Sequence, residues 1–345
     1  MTSTTLRWDS VASFQTWSTA SEPYATAVLL SPLIAIPSDC TEIIPSWEAS
    51  TPKDSAIEIR LRVKYADHES NWYRIALWDS AGQGSRRTSF ASQSDDDAYV
   101  ATDTLVLRRP AEAVQVAVAL FSAPDGALPQ LKGLSLSCSG DVVQPDAKAA
   151  HPVCSLEPPY FSQFSYDEQD GWCSPTSLAM VLGYWYKRTG DPVLAPFIDP
   201  QSVPRLVAPA VYDATYEGYG NWSFNVAYAA SLGLESFVTR LDSIDQLDEW
   251  LALGIPVVMS IAWKEGQLTG APIPKSNGHL IVAIGIDESG DVIVADPAAK
   301  QLDQVRRTYK RKELEACWLR PHGTIYLIYP RNYPIPQVGA LVQVM

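Results

Sequence analysis

GWCSPTSLAMVLGYW, residues 171–185, is the stretch on which the reading of the chain turns. A cysteine stands two residues after a glycine and directly before Ser-Pro-Thr-Ser. Leu178, Met180, Val181, Leu182 and Trp185 then follow as an apolar helical run. Ser174 is placed to act as N-cap, and Pro175 to take the first helical position, where a missing N–H costs nothing. Cys173 is therefore expected at the mouth of a buried helix. The positive end of the helix dipole favours a thiolate there, and free backbone N–H groups would face a developing oxyanion. A cysteine nucleophile also needs a base, and a group that orients the base.

The chain has 345 residues, a length that favours two domains. It is 46% hydrophobic, with 11 Trp and 16 Tyr, enough to fill two cores. A net charge of −13 argues against nucleic acid and against anionic membrane surfaces as partners. The opening MTSTTLRWDSVASFQ has no basic segment followed by an apolar core, so no secretory signal is read. The longest apolar run, AVLLSPLIAI at 27–36, is broken by Pro32 and is too short to span a membrane. A soluble protein is expected, either cytoplasmic or a secreted mature form. The 5 cysteines include no CxxC pair, which argues against a thiolate zinc site; no metal or cofactor is called for. Cys40 and Cys138 either bridge the two ends of an N-terminal domain or pack as small apolar residues.

Residues 1–137 read as an all-β domain. In 57–64, Ile57, Ile59, Leu61 and Val63 alternate with Glu58, Arg60, Arg62 and Lys64, the pattern of a half-buried strand. Segments 71–78, 104–108, 112–121 and 131–137 are further strands, and together they suggest a β-sandwich of jelly-roll type. The polar segment 82–98 reads as a long exposed loop. Trp8, Trp17, Trp72 and Trp78 form either an aromatic platform for sugar or peptide, giving a glycan or cell-wall contact, or part of the core. Residues 138–158 read as a linker by composition, with His151 exposed in it.

Residues 159–335 change character, and 336–345 are left as a tail. Helices are expected at 173–185, near 223–232 and at 243–254, and strands at 256–263, 279–286, 291–296 and 324–329. Helices first and an antiparallel sheet second is an α+β order. Asn221-Trp222-Ser223 also matches a glycosylation sequon.

The chain has 4 histidines: His68, His151, His279 and His322. His279 opens a strand in the half that holds Cys173, so it is the preferred base. If Ile286 pairs with Asp291 across a four-residue turn, Ile281 lies opposite Asp296. His279 then sits on the same face as Asp296 and diagonal to it, roughly 7–8 Å away between backbones. Asp296 would accept the ring N–H and fix the tautomer; a one-residue slip would send the two side chains to opposite faces. The Cys173 amide is one oxyanion donor, and Gln163 or Gln169 qualifies by residue type as the second.

These pieces resemble the bacteriocin-processing peptidase-like family of papain-fold cysteine peptidases, cysteine family thirty-nine. The likeness lies in PYFSQ (159–163), the Cys173 helix, GNWSFN (220–225), NGHLIVAIGID (277–287) and VIVADPA (292–298), in the order Gln, Cys, His, Asp. It covers the C-terminal half only. It implies a papain-like fold and a bacterial peptidase, with Gln163 as oxyanion donor, Cys173 as nucleophile, His279 as base and Asp296 as orienting residue. Trp172, Asn221, Trp222 and Gly278 are the residues expected to touch a peptide or protein substrate. Ser174 replaces the glycine often found after the cysteine, and Gln169 remains a rival to Gln163 because the Gln163–Cys173 spacing is long. Well-known members trim double-glycine leaders beside an export ATPase, whereas this chain has no GxxxxGK[ST] phosphate loop. The same residues would also serve a cell-wall amidase or an acyl transferase, and an inactive glycan- or protein-binding protein is the third reading.

Overall fold

A computed structural model describes residues 3–17, 25–79, 87–140, 150–166, 171–319, 322–336 and 340–344. The N-terminal half is rich in β-strands. The alternating segment forms strand Ala56–Lys64, and its four apolar side chains are fully buried. That strand lies in a 7-stranded sheet ordered Gln15–Trp17, Ala27–Leu30, Ala113–Phe121, Ala56–Lys64, Tyr73–Trp78, Thr88–Ser89, with Ile34–Ala35 also on Ala113–Phe121. A 6-stranded sheet runs Ala340–Gln343, Thr4–Trp8, Gln130–Ser139, Glu42–Ser50, Thr104–Leu107, Ala98–Ala101. Trp47 of one sheet meets Trp78 of the other edge-on, with ring centroids 6.0 Å apart.

Trp8 and Trp78 are core residues, and Trp72 lies under the Arg62 guanidinium at 4.7 Å, so the four tryptophans do not make one exposed platform. The side chain of Trp17 lies outside the described residues. Cys40 and Cys138 are buried free thiols hydrogen-bonded to each other, not a bridge. In the segment read as an exposed loop, Arg87 and Ser89 are buried. The Arg87 guanidinium donates to the carbonyl of Pro209 at 2.7 Å, which draws this part of the loop against the other half.

The C-terminal half is mixed α/β around a 7-stranded antiparallel sheet. Its order is Leu234–Arg240, Thr324–Pro330, Val257–Trp263, Ser276–Ile286, Val292–Ala295, Arg306–Tyr309, with Cys154–Ser155 also on Ser276–Ile286. Helix Cys173–Thr189 is clamped to this sheet. Ser177 Oγ donates to Leu280 O at 3.0 Å, and Trp185 Nε1 to Ile328 O at 2.8 Å. Gly190, at φ 69°, ends the helix in the left-handed conformation that glycine adopts without cost.

Two compositional readings need correction. The segment read as a linker contains strand Cys154–Ser155, which pairs with Ile286 and Gly285. His151, expected exposed, is half-buried, and its Nδ1 bonds Asp248 Oδ2 at 2.6 Å. The segment read as a tail contains Ala340–Gln343, which pairs in parallel with Thr4–Trp8 of the other half. Short polar stretches look like connectors by composition, but their backbone groups still need partners and find them on sheet edges.

The halves share a continuous core. Phe224, on helix Trp222–Ser231, packs against Trp47 at 6.2 Å and Trp78 at 5.3 Å. Hydrogen bonds line the seam: Val238 N–H to Ser46 Oγ at 2.9 Å, Ser223 Oγ to Pro45 O at 2.7 Å, and Ser3 N–H to Asp242 Oδ1 at 2.8 Å. Among the described residues no helix is long and apolar enough to cross a membrane.

Candidate active site

The helix begins at Cys173 itself. Trp172 is the N-cap residue and makes no side-chain cap bond. The helical ladder opens with Thr176 N–H to Trp172 O at 3.1 Å, so the amides before it are not spent inside the helix. Ser174 is therefore not the cap, and Pro175 is the third helical residue. The buried Tyr326 hydroxyl needs a partner and takes Ser174 Oγ at 3.0 Å. The Trp172 ring packs on Tyr166 at 5.5 Å and on Tyr219 at 5.6 Å, which holds the turn in place of a cap.

His279 and Asp296 come together through the strand pair, by a route different from a simple hairpin. Ile286 pairs with Val292 instead of Asp291, so the register at the tip is shifted by one. A bulge between Ala283 and Gly285 takes the shift back, and Val282 then pairs with Ala295. Continued one residue, this register brings Ile281 opposite Asp296. A bulge places two residues opposite one, which is how it restores the parity of the side chains. Gly285 allows it, because a Cβ there would lie 2.3 Å from the Cys154 carbonyl oxygen.

His279 Nε2 meets Asp296 Oδ1 at 2.8 Å, and the thiol of Cys173 hydrogen-bonds the same imidazole. With Nε2 on the carboxylate, Nδ1 is the nitrogen left for sulfur. Asp296 is fully buried and is held by two further donors, Ala298 N–H to Oδ1 at 2.9 Å and Tyr309 hydroxyl to Oδ2 at 2.5 Å. Trp263 covers the imidazole edge-on at 5.6 Å.

Burial alone pushes the Cys173 thiol up. The hydrogen bond and charge of His279, with N–H groups of Leu280 and Ser174, bring it below the ordinary thiol value. Burial likewise works against a charged His279, and the Asp296 carboxylate outweighs it, raising the imidazole to about 10. Asp296 feels the same burial penalty; the His279 charge and bond, Tyr309 and Ala298 hold it below the usual carboxylate range. The favoured charge state is thiolate, imidazolium and carboxylate in line, which can attack a carbonyl carbon and return a proton to a leaving group.

Gln163 lies in the short turn Gln163–Ser165. Its backbone N–H donates to Pro297 O at 2.9 Å, beside Asp296, and its side-chain Oε1 is buried without a partner among the described residues. Gln169 lies outside the described residues. Trp222 and Gly278 line a cleft of about 790 Å³ that also contains Cys173. Asn221 is turned away to a structural task. It is 1% exposed, accepts from Phe224 N–H at 3.1 Å as the helix cap, and donates to Asp213 Oδ2 at 2.8 Å. That burial also closes the sequon to modification in the folded chain. Trp172 is buried as well and does not line the cleft.

Two residues here, Tyr309 and Asp103, escape the sequence reading, and a third, His322, is named there only among the histidines compared as the base. Tyr309 sits on Arg306–Tyr309, a strand whose polar sequence gives no apolar alternation. Asp103 and His322 line the cleft from places distant in the chain, and only the fold brings them there. Tyr309→Phe leaves Oδ2 of a buried carboxylate without its side-chain donor. The expected cost is about 1–3 kcal/mol of stability, read as a lower midpoint in thermal or urea unfolding.

Comparison with known proteins adds the following. The model of the Peptidase_C39 like family matches residues 155–325, and that of the Peptidase C39 N-terminal domain matches residues 3–139. The crystal structure of a candidate C39-like peptidase from Bacillus anthracis is similar with TM-score 0.37 and 19% identity, covering 52% of this chain and 98% of that one. The VPA0106 protein from Vibrio parahaemolyticus has TM-score 0.17 and 12% identity, covering 93% of this chain and 92% of that one. No curated protein matches the chain.

Proposed function

The chain belongs, through residues 155–325, to the C39-like peptidase family, and on that premise we propose a cysteine peptidase acting through Cys173, His279 and Asp296. The observation that carries this reading is the buried line of thiol, imidazole and carboxylate, which opens on the cleft at its sulfur end. A Cys at a helix start against a His on an antiparallel strand supports a papain-like reading of this half. Two largely antiparallel sheets in contact through Trp47 and Trp78 support a jelly-roll-type sandwich for the other. We divide the chain near residues 140–153, between strand Gln130–Ser139 and strand Cys154–Ser155.

In this mechanism the Cys173 thiolate attacks the peptide carbonyl carbon and forms a C–S bond. The oxyanion is held by the Cys173 N–H and by the side-chain N–H of Gln163. His279 gives its proton to the leaving amine as the C–N bond breaks. Water then attacks the thioester while His279 takes its proton, and the thiolate leaves. Trp222 and Gly278 contact the substrate, and Trp172 and Asn221 support the site from beneath. A thiol held below its ordinary value favours chemistry over an inactive binding role.

A thiol-directed peptide electrophile tests the reading. Mass mapping is expected to find the adduct on Cys173 alone among the 5 cysteines, and Cys173→Ala to abolish it. Equal labelling of the Cys173→Ala protein would end the proposal. Product analysis with added amine acceptors separates hydrolysis from acyl transfer.

A further inference from the structure

The cleft beside Cys173 has a second wall, and it comes from the other half of the chain. Glu42, Tyr99, Thr102 and Asp103 line it together with Tyr216, Glu217 and Trp222 from the half that holds the sulfur. The two walls are tied at the seam. The Asp103 carboxylate, 4% exposed, accepts from Trp222 N–H at 2.6 Å and from Thr104 Oγ1 at 3.2 Å. Asp213, fully buried, accepts from Ser89 N–H across the same seam at 2.9 Å.

The lining has one exposed carboxylate, Glu217. Of its other acidic residues, Glu42 is half-buried and Asp103 is buried and raised to about 6 by that burial; the permanent cation of the lining is Arg240. Arg240 is already paired with Glu42, and His322 also bonds Glu42, at 3.3 Å. Glu217 is exposed and stands at φ 53°, a conformation that costs a non-glycine residue energy. Two large rings of the same lining are partly exposed, Tyr216 at 51% and Tyr99 at 37%, the latter with the Arg108 guanidinium 5.4 Å from its centroid. A carboxylate in a cleft with exposed aromatic rings is the chemistry that receives an ammonium or guanidinium group, and Tyr99 already holds one such group in Arg108.

We propose that the second wall makes this cleft selective for peptides carrying a cationic group beside the reacting bond, received by the Glu217 carboxylate and the exposed Tyr99 and Tyr216 rings. The inference rests on the peptidase reading for the identity of that bond. The cation comes from a Lys or Arg side chain or from a free α-amine. The N-terminal half then acts as part of the substrate site.

Binding separates this inference from turnover. Full-length Cys173→Ala protein is titrated by fluorescence anisotropy with matched labelled peptides that differ at one residue, Lys, norleucine or Glu, each with an acetylated or a free N-terminus. The Lys peptide, the free-amine peptide, or both are expected to bind about tenfold more tightly than the acetylated norleucine peptide, and the Glu peptide more weakly still. The acetylated and free arms show which amine is read. Glu217→Gln in the same background is expected to bring the preference to within about twofold, and Tyr99→Leu to reduce it severalfold. Equal binding across the series, no binding by any peptide, or a preference untouched by both substitutions would overturn the inference. Electrophile labelling of the unaltered chain at Cys173 reports on the peptidase reading independently.

Discussion

Replacing His279 with alanine is expected to slow alkylation of Cys173 at pH 7 by about tenfold or more, and to cut peptide turnover by roughly a thousandfold or more. The direction follows from what surrounds the sulfur. Burial pushes the thiol up, and the imidazole is the strongest influence bringing it down. Without the ring, burial acts unopposed except by backbone N–H groups, so the pH profile of iodoacetamide alkylation moves to higher pH. A profile that keeps its midpoint would contradict the ion pair. The substitution also leaves Asp296 buried with its charge uncompensated, which typically costs about 3–5 kcal/mol.

In the unaltered chain the same pair sets a pH window for stability. His279 is raised to about 10, so its contribution is complete below its unfolded value near 6.5 and is lost as pH rises through about 10. Asp296 is depressed, so its contribution is present above the unfolded carboxylate value and is lost as pH falls through its folded value. The pair stabilises most fully in the mildly acidic range between the two unfolded values.

Phe224→Ala is expected to destabilise the whole chain by about 3–5 kcal/mol. The ring is fully buried and wedged on Trp47 and Trp78, so its loss opens a cavity at the seam of the two halves. Because the buried residues of both halves form one continuous cluster, calorimetry should show the unfolding of both halves moving down together. Two transitions, with only one of them shifted, would mean that the halves hold themselves up separately.

The parts legible in the sequence were those with a period. The Cys173 helix, strand Ala56–Lys64, the strand bearing His279 and the strand leading to Asp296 all carry local apolar patterns that packing reinforces. The helix start was misread because Ser174 looked like a cap. Nothing local shows that a buried Tyr326 hydroxyl, from a strand far along the chain, claims its side chain. Asn221 was read toward substrate because it lies beside Trp222, while its burial as a cap depends on Asp213 and the seam. Strand Leu234–Arg240 was not recognised, nor was Arg306–Tyr309, whose residues alternate poorly and which is built by pairing with Val292–Ala295. The second wall of the cleft was invisible for the same reason: Asp103 belongs to a turn of the other half, and its neighbour Trp222 lies 119 positions away.

The bulge beside Gly285 has a bearing on how this hairpin tolerates change. The Cys154–Ser155 strand presses on Gly285, where a side chain would collide, so the extra residue is pinned there and has no room to migrate. Lengthening or shortening of the tip at 287–291 is thus stopped before it reaches the imidazole and the carboxylate. The tip itself is moored separately, to Lys310 and Arg311 through Asp291 and Gly290, so strain there has its own anchor.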